Sequence, residues 1–253
     1  MSGFTTHHVD TIDSTNTQLL QWSTQLNCHR VALVADVQTA GRGQRGRQWH
    51  AAAGDALLCS VAWQFARSCP LDGLSLAVGV MVADALDLGV LAGSERERLR
   101  LKWPNDLLID ETHKLGGILI ETVASAGGTR TAVIGIGLNL LTPIVGTSAA
   151  ALPAIGLDAW SGTKNHRDEV LARLLAALTV GLADFARSKF SGFQARWWAR
   201  RAYASGCVTA RLPDGEVIAG TMQGTTYRGA LVIESERGLH TLVSGEVSLR
   251  ALC

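Results

Sequence analysis

The chain of 253 residues has no paired cysteine motif and almost no net charge. Its five cysteines are an odd number and none is spaced as C-x-x-C, so a disulfide framework or a zinc ribbon is not expected. Reduced thiols in a cytoplasmic protein are the better interpretation. The formal charge is +1 and both signs are mixed along the chain, so nothing suggests the broad positive field of a nucleic-acid-binding protein.

The chain also lacks a hydrophobic run long enough to cross a membrane. Residues 1–10 are polar and carry neither a basic start nor an apolar core, so no secretory signal is visible. The most apolar stretch covers residues 71–91, but Asp84 and Asp87 interrupt it. We therefore interpret it as a buried helix and expect no membrane contact.

What the chain does have is a hydrophobic content of 47%, enough for a sizeable core. Its patterns predict an α+β fold in which a mixed sheet packs with helices over residues 1–205, followed by a small five-stranded barrel over 206–253. Helices are predicted over residues 15–25, 71–91, 168–188 and 192–204. Before residue 206, strands are predicted over residues 31–35, 56–65, 99–103, 107–110, 115–123 and 131–140.

The first unusual segment is GRGQRGRQW at residues 41–49. It contains G-x-G-x-x-G, yet a dinucleotide-binding turn needs a helix after its last glycine, and the next element looks like a strand. A nucleic-acid loop and an ordinary flexible loop remain alternatives. Alternating glycine and arginine favour an anion site, because glycines let backbone N–H groups approach and guanidinium groups bind phosphate or carboxylate.

Two further segments carry candidate chemistry. Lys102 begins KWPND, where the Pro-Asn-Asp portion is also a plausible turn, and Lys114 stands at the mouth of an apolar strand. A lysine at such a place is more often a surface residue than a catalyst. Gly135 and Gly137 interrupt a β run in GIGLN, which often marks the close approach of a ligand.

Taken together, five segments resemble the biotin–protein ligase family in their order and approximate spacing. They are DSTN at 13–16, GRGQRGRQW at 41–49, KWPND at 102–106, KLGGILIE at 114–121 and GIGLN at 135–139, and SGEVSLR at 244–250 extends the likeness to the C-terminus. The resemblance implies an SH3-like fold for the C-terminal barrel. It also implies a ligase that forms biotinyl-5'-AMP from biotin and Mg-ATP, and then transfers biotin to a lysine of the biotin carboxyl carrier protein of acetyl-CoA carboxylase.

The resemblance also implies roles for individual residues. The catalytic residues would be Lys114, Asp106 and Arg42. The biotin contacts would be Ser14, Thr15, Asn16, Gln38, Arg42, Gly43, Gln44, Lys114, Gly117 and Gly135. The ATP and adenylate contacts would be Arg45, Arg47, Trp49, Asn105, Lys114 and Asn139. Neither a prosthetic group nor a structural metal is implied, and spacing does not assign ligands for Mg²⁺.

The chain departs from the family in two respects. Family members often carry arginine where this chain has Gln44, which removes a permanent charge from the glycine–arginine loop. Some relatives begin with a DNA-binding module, whereas the resemblance here starts by Asp13. We therefore expect the monofunctional type, with no repressor activity and no nucleic-acid partner, while a homodimer remains open.

Two other functions compete with this interpretation. A lipoate–protein ligase or octanoyltransferase would share the catalytic fold, and transferase chemistry would favour a cysteine beside the lysine. Cys59 and Cys69 are better explained as small buried hydrophobic residues. A non-catalytic biotin-binding regulator would lack the anion loop and Lys114, and both are present.

Overall fold

The computed structural model describes residues 3–87, 99–125, 127–143, 152–161, 166–204, 206–212, 214–243 and 248–251. A seven-stranded mixed sheet forms the larger part, in the strand order β1-β2-β3-β7-β6-β5-β4. Its strands are β1 Thr5–Ile12, β2 Val31–Gln38, β3 Ala56–Ala66, β4 Leu99–Lys102, β5 Asp106–Ile109, β6 His113–Ser125 and β7 Thr129–Asn139. The pair β6 and β7 is antiparallel around Gly127 and Gly128, as predicted.

The edge strand β1 was not predicted from the sequence. Its residues are mostly exposed, and only Val9 and Ile12 are partly buried, so it carries no clear hydrophobic alternation. The strand forms because it pairs in parallel with β2, from Thr5 opposite Val31 to Ile12 opposite Gln38. Backbone hydrogen bonds to a buried neighbour therefore decide its conformation.

Five helices lie within the described residues: α1 Thr15–Gln25, α2 Leu74–Asp87, α3 Leu157–Ser161, α4 Arg167–Ser188 and α5 Gln194–Ala199. Helix α1 begins as predicted, with Ser14 as its N-cap. Helix α2 starts three residues later than predicted because Leu71 and Gly73 form a turn, and residues 88–91 lie outside the described part of the chain. None of the helices described is long and apolar enough to cross a bilayer.

The prediction of a helix over residues 192–204 is wrong at both ends. Gly192 closes a 3-10 turn before α5 begins, and the helix ends at Ala199. The following residues run along the edge of β4, where the Leu101 N–H donates to the Arg200 carbonyl and the Ala202 N–H donates to the Leu101 carbonyl. These bonds cover an open sheet edge, which outweighs local helix propensity.

Helices α2 and α4 cover one face of the sheet and complete the core. Helix α4 buries one face at helical spacing, through Leu174, Leu175, Leu178, Leu182 and Phe185. The opposite face of the sheet is left for α1 and for the functional site described below.

The C-terminal strands form a five-stranded antiparallel sheet in the order β11-β10-β9-β8-β12. They are β8 Cys207–Arg211, β9 Val217–Thr225, β10 Leu231–Ser235, β11 Gly238–Leu242 and β12 Ser248–Ala251. All five were expected, but no pairing between β11 and β12 closes a barrel within residues 206–212, 214–243 and 248–251. The sheet packs on the larger part, and Trp103 Nε1 donates to the Gly229 carbonyl across the seam at 3.1 Å.

A substitution at Gly229 tests how closely the C-terminal sheet packs against the larger part of the chain. A Cβ at this position would lie 2.7 Å from the Cα of Gly73. Gly229→Ala should therefore lower the free energy of unfolding by about 1–3 kcal/mol through overpacking, measured by urea denaturation. Gly215→Ala is the matched control, since Gly215 also has a positive φ but meets nothing within 4 Å. Equal losses in both variants would show backbone strain alone.

Candidate functional site

A pocket opens over the middle of the larger sheet, and its floor is made of two cross-strand rows. The first row is Gly117 on β6, Gly137 on β7 and Leu58 on β3. The second row is Leu119, Gly135 and Ser60 on the same three strands. The two glycines of β7 leave this floor without side chains at its centre, so there is room for other groups to lie against the backbone.

Each glycine of β7 is covered by one side chain from another element. The Trp49 ring lies over Gly137, where an added Cβ would be 2.7 Å from a ring carbon. The Asn16 side chain lies over Gly135, where an added Cβ would be 2.6 Å from Oδ1. The pocket therefore has two ends, one under the indole and one beside the start of α1.

The end beside α1 is a buried polar wall. Thr15 donates its backbone N–H to Gln38 Oε1 at 2.7 Å, and Thr15 Oγ1 lies 3.0 Å from the same oxygen. Thr15 Oγ1 is also 2.7 Å from Ser60 Oγ, which lies 3.0 Å from Asn16 Oδ1. Thr15 and Asn16 are each 3% exposed and Ser60 is 0% exposed, so the contacts of Ser60 with Thr15 and Asn16 are shielded from solvent.

This buried polar wall has fewer hydroxyl hydrogens than oxygen–oxygen contacts. The side-chain amide oxygens of Gln38 and Asn16 can only accept hydrogen bonds. Their orientations are set because Gln38 Oε1 accepts from the Thr15 N–H and Asn16 Nδ2 donates to Glu121. The two hydroxyl groups thus bring two hydrogens to three oxygen–oxygen contacts. One contact is left without a proton, which is costly in a buried place. The wall is suited to a ligand that brings N–H donors.

The other end of the pocket is positively charged around one carboxylate. Lys114 Nζ is 2.6 Å from Asp106 Oδ1, and Lys102 Nζ is 3.6 Å from Asp106 Oδ2. Burial lowers the pKa of Lys102, and the neighbouring Asp106 carboxylate opposes that shift. Lys114 Nζ also lies 5.8 Å from the centre of the Trp49 ring, so the cations and the indole face the same space.

The glycine–arginine loop is folded into a tight turn beside the pocket. The Gly43 N–H donates to the Arg47 carbonyl at 2.8 Å, and the Trp49 N–H donates to the Gly41 carbonyl at 2.9 Å. Arg45 takes a positive φ of 61° inside a short 3-10 turn. The next long element is β3, a strand, so the dinucleotide-binding alternative lacks the helix that it requires.

Fifteen of the sixteen predicted site residues line this pocket. They are Ser14, Thr15, Asn16, Gln38, Arg42, Gly43, Gln44, Arg45, Arg47, Trp49, Asn105, Asp106, Lys114, Gly117 and Gly135. Asn139 does not line it. This buried side chain donates instead to the carbonyls of Lys114 and Ile155, each at 3.3 Å. These two bonds fit a structural role for Asn139, which joins the backbone at Lys114 to the backbone at Ile155. The roles of the other fifteen residues stay predictions.

The sequence did not single out two polar residues of this region, Ser60 and Glu121. Ser60 sits in an apolar strand and looks like a small core residue. Glu121 accepts from Arg42 through both carboxylate oxygens, at 2.8 and 3.0 Å, and from Asn16. Strand alternation was the available signal for Glu121, since Gly117, Leu119 and Glu121 share one face of β6.

Cys59 also lines the pocket, but it is a poor nucleophile. Burial raises the pKa of its thiol to about 12, so the thiol stays protonated at neutral pH. Cys69 is buried as well. Both match the prediction of small buried hydrophobic residues, and this weakens the interpretation as a cysteine-dependent transferase.

Comparisons with known proteins agree on one kind of relative. Residues 9–139 match the model of the biotin/lipoate A/B protein ligase family, and residues 208–250 match that of the biotin protein ligase C terminal domain. The chain is 32% identical to the bifunctional ligase/repressor BirA of Escherichia coli over 242 residues, which is 95% of this chain and 72% of that protein. It is 30% identical to the biotin–[acetyl-CoA-carboxylase] ligase of Paracoccus denitrificans, over 93% of this chain and 96% of that protein.

Solved structures give the same result. The biotin protein ligase from Aquifex aeolicus, in complex with biotin and ATP, superimposes with a TM-score of 0.81. It is 28% identical, and the match covers 98% of this chain and 99% of that one. The similarity therefore extends over the larger sheet and the C-terminal sheet together.

Proposed function

Because the chain belongs to the biotin/lipoate A/B protein ligase family, we propose that it is an ATP-dependent biotin–protein ligase. It forms biotinyl-5'-AMP from biotin and Mg-ATP, releasing pyrophosphate, and then transfers biotin to a lysine of a carrier protein. The observation that carries this proposal is one pocket that has the buried oxygens of Thr15, Ser60 and Asn16 at one end and Lys114 near the other.

The buried wall favours biotin among the acids used by this family. The ureido group of biotin has two N–H donors and one carbonyl, so it can donate to the Thr15 and Ser60 oxygens, whose mutual contact is short of a proton. The dithiolane ring of lipoate and the alkyl chain of octanoate have no N–H to offer. Either would leave the proton-poor contact between Thr15 and Ser60 as it is, at a cost of about 1–3 kcal/mol.

The charged end suits the developing anhydride. Lys114 would bridge the biotin carboxylate and the α-phosphate, because the carboxylate is an anion and further negative charge develops on the α-phosphate as the carboxylate attacks it. Trp49 would cover the adenine ring, and Arg45 and Arg47 would contact the phosphates, with Mg²⁺ entering as part of Mg-ATP. Asp106, whose Oδ1 is 2.6 Å from Lys114 Nζ, would orient or deprotonate the incoming lysine.

Ligand binding tests the choice of biotin. Calorimetry should show binding of biotin and of desthiobiotin, which keeps the ureido group, and lipoate should bind more weakly by a factor on the order of 10⁴. Ser60→Ala should weaken biotin binding and leave lipoate unchanged. Tighter binding of lipoate than of biotin would contradict the proposal.

The acceptor we propose is the biotin carboxyl carrier protein of acetyl-CoA carboxylase, in line with the name of the Paracoccus relative. We also propose the division into a ligase domain over residues 1–205 and a smaller domain over 206–253. A cytoplasmic location, a homodimer and the absence of a nucleic-acid partner stay predictions from the sequence.

Gln44 allows a test of the loop. It lines the pocket at the start of the 3-10 turn. Gln44→Arg should slow the release of biotinyl-5'-AMP by about tenfold, because it restores a charge-assisted bond to the phosphate. Release can be followed by filter binding of the labelled adenylate. Gln25→Arg adds the same charge at an exposed position outside the pocket and is the control. Equal lifetimes for wild type and Gln44→Arg would refute the idea.

A further inference from the structure

Glu121 connects two walls of the pocket that come from distant parts of the chain. Its Oε2 accepts from Asn16 Nδ2 at 2.7 Å and from Arg42 at 3.0 Å, and its Oε1 accepts from Arg42 at 2.8 Å. Asn16 belongs to α1 and Arg42 to the glycine–arginine loop. One carboxylate thus holds the buried polar wall and the loop at a fixed separation.

The contact to Asn16 is part of a longer chain of bonds. With Nδ2 held by Glu121, Asn16 must turn Oδ1 toward Ser60. Ser60 in turn contacts Thr15, whose hydroxyl group contacts Gln38. A rotation of the Asn16 amide would exchange its donor and acceptor in this wall. Glu121 therefore sets which atoms the wall presents to a ligand.

The contact to Arg42 acts on the loop. A guanidinium bonded to both oxygens of a carboxylate has a defined orientation, which a single bond would not give. Arg42 precedes the turn that carries Arg45, Arg47 and Trp49, and its pairing with Gln48 closes that turn as an isolated β-bridge. Fixing Arg42 thus fixes the base of the loop that covers the charged end.

We propose that Glu121 is a positioning residue that keeps the biotin wall and the adenylate loop in register. This inference rests on the proposed function. The side chains of Arg42 and Glu121 are 43% and 27% exposed, so an ion pair between them adds little to the stability of the fold. Its effect should instead be visible in ligand binding at both ends of the pocket.

The test compares wild type, Glu121→Gln, Asn16→Ala and the double variant by calorimetry with biotin. Glu121→Gln keeps the shape but removes the charge and replaces one acceptor by a donor. Its Kd for biotin should rise about tenfold, whereas in the Asn16→Ala background the same change should add less than about twofold. Release of biotinyl-5'-AMP from Glu121→Gln should also be faster, because Arg42 is no longer held by two bonds to a carboxylate.

Glu234→Gln, on the C-terminal sheet, is the matched control and should change neither quantity. Thermal unfolding separates positioning from folding, since Glu121→Gln should keep the Tm of wild type. If wild type binds biotin and Glu121→Gln binds it equally well, the positioning role is refuted. A variant that only loses Tm, with its folded fraction binding normally, refutes it too. If wild type itself does not bind biotin, the proposed function fails instead.

Discussion

Replacing Lys114 with alanine is expected to abolish the mass gain of a biotin carboxyl carrier domain incubated with biotin, Mg-ATP and the protein. In the proposed mechanism Lys114 is the cation that bridges the carboxylate and the α-phosphate, and it lies between Asp106 and the Trp49 ring. Removing one well-placed donor to a developing anion costs a factor of about 10²–10³ in rate. Mass spectrometry of the acceptor measures the second step, and pyrophosphate release measures the first.

The fold should survive this change, because Asp106 keeps Lys102 as a second partner at 3.6 Å. Lys189→Ala removes a lysine at a distant turn and should leave biotinylation unchanged. Lys114→Arg is informative as well: the guanidinium is bulkier and planar, so only partial activity is expected. Full mass gain with Lys114→Ala would remove the central assignment of the proposed mechanism.

The second large effect is expected from a single methyl group on the pocket floor. In Gly135→Ala the new Cβ would lie 2.6 Å from Asn16 Oδ1, so the amide must move away from Ser60 and Glu121. The backbone of Gly135 does not require glycine, so the fold should tolerate alanine. Calorimetry should show the Kd for biotin rising by about tenfold to a hundredfold, because buried groups lose their partners.

Gly137→Ala is the natural counterpart, two residues further along β7. Its Cβ would lie 2.7 Å from the Trp49 ring, so it should raise the KM for ATP more than the Kd for biotin. The contrast between the two variants is the test. If both affected the two ligands alike, the pocket would not be divided into the two ends described above.

Much of the site could be predicted because its residues lie in a few short contiguous segments of the sequence. Ser14, Thr15 and Asn16 are consecutive at a helix start, and Arg42 and Trp49 share one loop, so recognising each segment placed several residues together. The long strands β3, β6 and β7 and helix α4 were also visible, because burial on one or both faces imposes a hydrophobic pattern.

The rest depends on partners that are distant in sequence. Strand β1 exists because β2 lies beside it, and residues 200–202 leave the helical conformation to cover β4. Glu121 gains its importance from Asn16 and Arg42, which are 105 and 79 residues away. Asn139 shows the reverse case, since it belongs to a predicted segment but turns toward two backbone carbonyls.

The C-terminal sheet contributes more than a support, because Leu249 on β12 forms part of the pocket wall. A ligand that reaches Leu249 contacts both parts of the chain at once. By thermodynamic linkage, ligand binding stabilises the contact between the two sheets by the same free energy by which that contact stabilises the bound ligand. Amide hydrogens of β12 should exchange more slowly when a ligand occupies the pocket. Separating the two sheets would remove Leu249 from the pocket wall and open that side to solvent.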